Sequence, residues 1–515
     1  MTVFRSSLTI GTFTLGSRLL GFARDVIMAQ VLGAGPMADA FFVALRLPNL
    51  FRQLMAEGAF NVAFVPMLTR KLSDGEDRSE AESFANAVFA LLFTLSFSLT
   101  VLGMVFMPYL VMALAPGFID DAERFDLAVT LGRITFPYLT FIVFVSYASG
   151  ITNTLGRFAL GAAAPMFLNI AFIFCLLLLP GHGVSAGQAA AWAVPLGGAM
   201  QAGLMLWAIR KVKFGLRLHM PHKHPALATL LRRLGASMLG VGVQLFNSVF
   251  STFLASNLVA GSISYLFYAD RLNQLPLALV GIAIGTALLP HLSRALKNDD
   301  MKGASQAFGQ AIVFGFCLAL AAAAGLFMLA DELMRVLFMR GAFDANAAHQ
   351  TALALMAYSL GLPAYILVKI TATVFYAAED TKTPFQTAVV SLIVNVVASL
   401  ALIVGFAHVG LALAGGIAAW VNVAVQGYLI YKRGLMPQLK ASYLRSHALR
   451  AVLVNLVLVA VVMGYKTLLP LPAAGILGAA WLSGAIVLAL VTFVGGLVVT
   501  GLLDKSLIRR FRNRR

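Results

Sequence analysis

Apolar runs of about 20 residues or more, separated by short clusters of glycine, proline and charge, recur along the whole chain. That is the length an α-helix needs to cross about 30 Å of hydrocarbon at roughly 1.5 Å per residue. Cutting the chain at its polar punctuation predicts fourteen such helices. They lie near 8–30, 38–66, 82–108, 127–150, 157–180, 186–209, 235–256, 263–292, 306–329, 349–375, 384–405, 409–430, 448–468 and 480–503. The second and eighth are the longest and the most interrupted.

The loops orient this set, because Lys and Arg accumulate on the cytoplasmic side of a membrane. With the N-terminus inside, the cytoplasmic loops hold Arg70, Lys71, Arg78, a basic 210–234 stretch, Arg294, Lys297, Lys432, Arg433 and a tail containing Arg509, Arg510, Arg512, Arg514 and Arg515. The opposite side holds only Arg124, Arg335, Arg340 and Lys466. The fold class read from this asymmetry is an all-α polytopic membrane protein with both termini cytoplasmic. The N-terminal apolar stretch is expected to stay as the first span, since Arg18, Arg24 and Asp25 interrupt it and no small-residue cleavage site follows a clean core.

The pattern also repeats, at an offset near 226 residues: Pro137 answers to Pro363 and Asn169 to Asn395. Ala-Ala-Trp recurs at 190–192 and 418–420. Six helices fill one period, so both copies enter the membrane from the same side. Such parallel repeats place a transport pathway at their interface. The expected organisation is an N-terminal lobe at 1–210, a basic cytoplasmic linker at 211–234, a C-terminal lobe at 235–433, and two further helices with a basic tail at 434–515.

Composition narrows the function. The chain is 60% apolar and 11% charged with a formal net charge of +17, and its mean hydropathy is +0.88. A soluble domain carries about 25% charged residues. A basic nucleic-acid binder needs its Lys and Arg on a polar surface that most of this chain does not have, so no nucleic acid is expected as a partner. Cys175 and Cys317 lie inside apolar runs and read as small buried hydrophobes. No phosphate-binding G-x-x-x-x-G-K-[ST] loop, H-E-x-x-H or Ser-His-Asp arrangement appears. His219, His222 and His224 read as part of a solvated loop. The expectation is a secondary transporter, not an enzyme, with no catalytic residue, metal or cofactor.

The chemistry sits in the charges left inside the spans. Arg18, Arg24, Arg46, Arg52, Arg133, Arg271, Lys369 and Arg450 are accompanied by Asp25, Asp39, Glu57 and Asp270. Each costs about 2.5–3.5 kcal/mol at a helix centre on insertion scales, which makes it a functional candidate by default. Arg133, Lys369 and Arg450 lie near helix ends and can snorkel. Asp39 is expected to be partly solvated at the outer end of the second helix. Arg18 lies about 15 Å into the first helix, near the midplane. Arg24, Arg52 and Arg271 are also too deep to escape. One reading makes these internal ion pairs, Arg18 with Glu57 and Arg271 with Asp270. The other lines an aqueous cavity with guanidinium groups, which bind phosphate oxygens bidentately. Helical phase sets Asp39, Arg46 and Glu57 on one face of the second helix and leaves Arg52 off it unless Pro48 kinks the helix.

Ser-Arg-Leu-Leu-Gly-Phe-Ala-Arg-Asp at 17–25 is followed by Ala-Asp-Ala-Phe-Phe-Val-Ala at 38–44, Leu-Pro-Asn-Leu-Phe-Arg at 47–52, Ala-Glu-Gly-Ala-Phe at 56–60 and Tyr-Ala-Asp-Arg-Leu at 268–272. Over its whole length the chain resembles the MurJ (MviN) family of bacterial lipid II flippases, within the multidrug/oligosaccharidyl-lipid/polysaccharide exporter superfamily. The resemblance implies fourteen helices in the bacterial cytoplasmic (inner) membrane. It implies movement of undecaprenyl-pyrophosphate-linked disaccharide-pentapeptide from the cytoplasmic to the periplasmic leaflet by alternating access, in the service of peptidoglycan synthesis and cell shape. It further implies a cation-rich cavity at Arg18, Arg24, Arg52 and Arg271, with Asp39 as an acidic partner, and a groove at 448–503 for the polyprenyl tail; the four membrane acids, Asp25, Asp39, Glu57 and Asp270, are read together as cavity acids or gate partners. Implied partners are lipid II, membrane lipids and the cell-wall synthesis machinery. The chain departs from some members in carrying Gln274 where they have an acid.

Two other transport readings remain at this point. A flippase for another polyprenyl-pyrophosphate oligosaccharide would share the arginines. A multidrug cation antiporter would show lone membrane acids and few arginines, the reverse of the pattern here. A scaffold without transport would leave the four arginines replaceable.

Overall fold

Some helix breaks of this chain fall at glycine or proline, as at 33–35 and 136–137, while other prolines, Pro48 and Pro363 among them, stay inside helices. The computed structural model describes residues 3–56, 59–73, 78–217, 224–472 and 475–502, and the regular structure among them is helical. In chain order the first helices are α1 (Val3–Leu32), α2 (Pro36–Ala56), α3 (Ala59–Ser73), α4 (Arg78–Val105), α5 (Met107–Leu114), α6 (Ala122–Thr135), α7 (Tyr138–Thr154), α8 (Ala159–Leu178) and α9 (Ala186–Lys211). They are followed by α10 (Pro225–Ser256), α11 (Ser262–Pro276), a π-helical turn at Leu277–Ile282, α12 (Ala283–Lys297), α13 (Met301–Met328), α14 (Ala330–Leu337), α15 (Ala345–Ala377), α16 (Lys382–Lys432), α17 (Ala441–Leu468) and α18 (Ile476–Val499).

Where their residues are described, the expected segments fall largely on these helices; the second runs over α2 and α3, and 57–58 between them lie outside the described residues. Among the described residues, 10 helical stretches are long and apolar enough to cross a membrane. The differences have local causes. The fourth expected segment is two helices, α6 and α7, parted at Phe136 and Pro137, because proline supplies no N–H to continue the ladder. The eighth widens into the π-helical turn directly after Pro276. The eleventh and twelfth are the arms of α16, which breaks at Ala407 (φ 47°, ψ −128°). Ser391 Oγ donates to the Ala418 carbonyl at 2.9 Å, and Gln426 Nε2 donates to Thr387 Oγ1 at 3.1 Å. The arms therefore run antiparallel as a hairpin.

The chain forms two compact units, one of residues 1–264 with 340–343 and one of residues 265–339 with 344–515. In the structure α10 packs on α2, α3, α4 and α5 and belongs to the first unit. Arg46 helps hold it there, donating from Nε to Thr252 Oγ1 at 3.1 Å and from Nη2 to the Ser248 carbonyl at 3.0 Å. The 340–343 segment joins the first unit through two glycines. Gly33 (φ 69°) ends α1 where a Cβ would stand 2.5 Å from the Ala342 carbonyl oxygen. Gly341 (φ 57°) approaches the Gln30 carbonyl so closely that a Cβ would lie 2.4 Å away. Only glycine combines that φ with that approach.

In the second unit, Leu292, Leu362, Ile366, Ile370, Val374 and Phe375 form one apolar core. A second core joins Cys317 to Leu458, Val462, Trp481, Leu482 and Phe493 and seats α17 and α18. The outer faces of those two helices stay apolar and exposed at Leu449, Leu453, Leu456, Leu490 and Val491.

Candidate functional site

The first unit holds three of the four arginines singled out by depth, and the structure treats each differently. Arg18, on α1, is exposed and has no hydrogen bond or ion pair among the described residues. Its expected alternative partner, Glu57, lies outside the described residues.

Arg24, two turns on, is held from two sides. Its Nε and Nη2 donate to Asp25 Oδ1 at 3.0 and 2.6 Å, and Nη1 donates to Asn169 Oδ1 on α8 at 3.0 Å. The guanidinium carbon stands 5.3 Å from the centroid of Phe172. With 15% and 7% of their side chains exposed, Arg24 and Asp25 form a largely desolvated pair. In such surroundings removal of one partner strands the other. A guanidinium has five N–H donors, and these contacts leave two of them for an incoming anion.

Arg52 is half-buried on α2, and its Nε donates to Asn49 Oδ1 at 2.7 Å. Pro48 sits inside α2 without ending it. The ring of Tyr138 lies within electrostatic reach of both Arg52 and Arg24. Its buried hydroxyl has no hydrogen-bond partner among the described residues.

Asp39 corrects an expectation. It is buried at 1% exposure, not solvated. Oδ2 accepts the Gly261 N–H at 2.6 Å, while Oδ1 accepts the Ser264 N–H at 2.9 Å and the Ser264 hydroxyl at 2.6 Å. These donors belong to the first turn of α11, where backbone N–H groups lack helical partners and favour a negative charge.

In the second unit Arg271 lies on α11 with its guanidinium carbon 4.6 Å from the centroid of Phe267. Asp270 accepts from the amide of Gln274, one turn on. The shallower cations behave as end-of-helix side chains. Arg133 donates to the Met104 carbonyl at 3.1 Å, Arg450 lies beside the Thr500 carbonyl, and Lys369 is exposed. Of the loop histidines, His219 and His222 lie outside the described residues. His224 caps α10 by accepting the Ala226 N–H at 3.2 Å and packs against Phe84.

Sequence reasoning named the charges and missed the neutral residues near them: Asn49 and Asn169, which accept from the arginines, and Tyr138. Asn169 was visible as a repeated asparagine but not as a contact of Arg24. Tyr138, directly after Pro137, carried no signal distinguishing it from other aromatic residues. Chemically, the first unit offers a guanidinium near the middle of α1 with no partner among the described residues, a second pre-oriented with donors to spare, and a third braced by an amide. Such groups suit a ligand with paired, charged oxygens.

These helices and their embedded arginines define a multi-pass membrane transporter. A family model described as "Lipid II flippase MurJ" matches residues 28–502. A probable lipid II flippase MurJ of Rhizobium tropici is 40% identical over 439 residues, covering 84% of this chain and 82% of that protein. The lipid II flippase MurJ of Burkholderia cenocepacia is 38% identical over 440 residues, covering 84% and 85%. Among solved structures, a lipid II flippase MurJ in an inward closed conformation shares the fold at a TM-score of 0.81 and 23% identity, covering 97% of this chain and 100% of that one. An inward-facing multidrug resistance transporter of the MATE family aligns at a TM-score of 0.67 and 14% identity, covering 84% of this chain and 99% of that one. The chain belongs to the MurJ family.

Proposed function

We propose that this protein is a lipid II flippase of the bacterial cytoplasmic membrane. It carries the undecaprenyl-pyrophosphate-linked peptidoglycan precursor from the cytoplasmic to the periplasmic leaflet. It is a transporter and not an enzyme, and its working mode is alternating access across fourteen helices with both termini cytoplasmic. The observation that carries the reading is the set of guanidiniums at Arg18, Arg24 and Arg52 in a chain matched from residue 28 to 502 by this family. We assign to these side chains, and to Arg271, the binding of the pyrophosphate. A pyrophosphate brings paired oxygens to fork-shaped donors, and desolvation inside the membrane strengthens each contact. Asp25 holds Arg24 in place, and Asp39 ties α2 to the start of α11. The exposed apolar faces of α17 and α18 suit the polyprenyl tail. Work beside the cell-wall synthesis machinery follows from the same role.

A cation antiporter is the poorer reading, because the described membrane acids are engaged: Asp25 by Arg24, Asp39 by Gly261 and Ser264, and Asp270 by Gln274. The test is rescue of a bacterium depleted of its lipid II flippase. The intact chain restores growth and cell shape, while Arg18→Ala, Arg24→Ala, Arg52→Ala and Arg271→Ala fail despite normal insertion. Failure of the intact, correctly inserted protein sinks the substrate assignment. Rescue by all four variants sinks the binding assignment.

A further inference from the structure

Asn169 is buried at 6% exposure on α8, and each end of its amide is used. Oδ1 accepts from Arg24 Nη1 at 3.0 Å, and Nδ2 donates to the backbone carbonyl of Ser17 at 3.0 Å. A guanidinium can only donate and a carbonyl can only accept, so the amide has one satisfied orientation. An aspartate of the same shape would satisfy Arg24 but turn a second acceptor toward the Ser17 carbonyl. An alanine would satisfy neither. Ser17 immediately precedes Arg18, so one side chain reaches both arginines of α1: it fixes the plane of one and pins the backbone beside the other.

Asp25 and Asn169 together grip Arg24 through three N–H donors, one from each of its nitrogens. A guanidinium held on one side only would swing about its long side chain. Held on both, its two remaining N–H groups keep a fixed direction, and ordering them costs little when an anion arrives. Asn169 does this without adding charge, so the pair Arg24–Asp25 stays neutral and the free charge of Arg18 is undiminished.

We infer that Asn169 is a positioning residue for the pyrophosphate-binding arginines: it aims Arg24 and holds the α1 backbone beside Arg18, so that they meet a pyrophosphate in preference to a monophosphate. This rests on the reading that the two arginines bind the pyrophosphate. The experiment measures binding of undecaprenyl pyrophosphate and of undecaprenyl monophosphate to the full-length protein in lipid nanodiscs. The proteins compared are wild type, Asn169→Ala, Asn169→Asp, Arg24→Ala and the Asn169→Ala/Arg24→Ala double variant.

Asn169→Ala is expected to weaken pyrophosphate binding about tenfold, as loss of one hydrogen bond to a charged group does, with a much smaller effect on the monophosphate. In the double variant the two losses fall short of multiplying, since with Arg24 gone only the hold on the backbone beside Arg18 is left for the amide to lose. Asn169→Asp keeps the shape, sets a carboxylate beside the anion and binds the pyrophosphate more weakly still. If Asn169→Ala does not insert, this near-isosteric variant carries the test. Pyrophosphate affinity and selectivity that survive both Asn169 changes, while Arg24→Ala weakens binding, overturn the positioning role and leave the arginine reading intact. Losses that multiply in the double variant overturn it too. Binding unaffected by Arg24→Ala overturns the arginine reading and the positioning role together.

Discussion

Asp39 and Ser264 are joined twice: one carboxylate oxygen accepts both the backbone N–H of Ser264 at 2.9 Å and its hydroxyl at 2.6 Å. The other oxygen takes the Gly261 N–H. A side chain on α2 therefore serves the first turn of α11 as a borrowed N-cap. Asp39→Ala leaves two backbone donors and a hydroxyl without this acceptor and is expected to cost about 3 kcal/mol. Asp39→Asn, which keeps one acceptor oxygen, costs less. Thermal unfolding of the purified variants in detergent checks the order, and equal losses would refute the capping account.

Arg18 and Arg24 should separate stability from function. Arg18 has no partner among the described residues, so Arg18→Ala is expected to change stability by about 0.5 kcal/mol or less while abolishing rescue. Arg24→Ala strands the buried Asp25 and is expected to destabilise by about 3–5 kcal/mol. Adding Asp25→Asn to Arg24→Ala recovers part of that loss without recovering transport. The comparison requires unfolding midpoints and depletion rescue on the same four proteins.

Asp380, in the connection between α15 and α16, gives a pH dependence. Its carboxylate accepts from the Thr383 hydroxyl, the Thr383 N–H and Arg433, and these contacts hold its pKa below the usual 3.8. A lowered folded-state pKa adds stability that is present above the unfolded value and lost as pH falls through the folded one. Unfolding midpoints of the wild type should therefore drop on acidification below about pH 4, and Asp380→Asn should flatten that part of the profile. The effect is small because the group is partly solvated and screened.

Asn86 anchors the chain leaving α9. Its Nδ2 donates to the Gly215 carbonyl at 2.9 Å, and its Oδ1 accepts the Arg217 N–H at 2.9 Å. Arg78 adds a bond to the Lys213 carbonyl at 2.6 Å. Asn86→Ala is expected to speed hydrogen exchange at the Arg217 N–H by about tenfold, the effect of losing about 1.4 kcal/mol of local protection. Mass spectrometry of peptides spanning 212–217 reads it, and unchanged exchange would assign the order of this segment elsewhere.

Much of the fold was legible because a membrane simplifies the code: apolar length decides existence, and basic residues decide direction. The exceptions to the charge asymmetry are instructive. Arg124, Arg335 and Lys466 pair with Asp121, Asp331 and Glu332, each at 2.7 Å, so three of the four positive loop residues assigned to the outer side are matched by an acid. Boundaries were less legible. The division after Ser264 depends on how α10 packs, and apolar helices offer many equivalent faces. The site was half legible. Arginines in an apolar run announce themselves by their cost, whereas Asn169 and Asn49 are inexpensive residues whose meaning lies wholly in what they touch. The burial of Asp39 was missed for the same reason, since its partners lie more than two hundred residues away.

The break at Ala407 bears on how the protein is made. A non-glycine residue at φ 47° carries strain of about 1–3 kcal/mol, and Ala407→Gly should raise the melting temperature by relieving part of it. A corner this short also leaves no slack between the two arms of α16. The two arms are therefore expected to enter the bilayer together as a hairpin. Thr371, Thr387, Asn422 and Gln426 form a hydrogen-bonded group, buried in the finished fold. The links among Thr387, Asn422 and Gln426 lie within the hairpin and can form before these side chains meet lipid. The corner thus sets the polar groups of one arm against those of the other, which spares each an unpaired place in hydrocarbon.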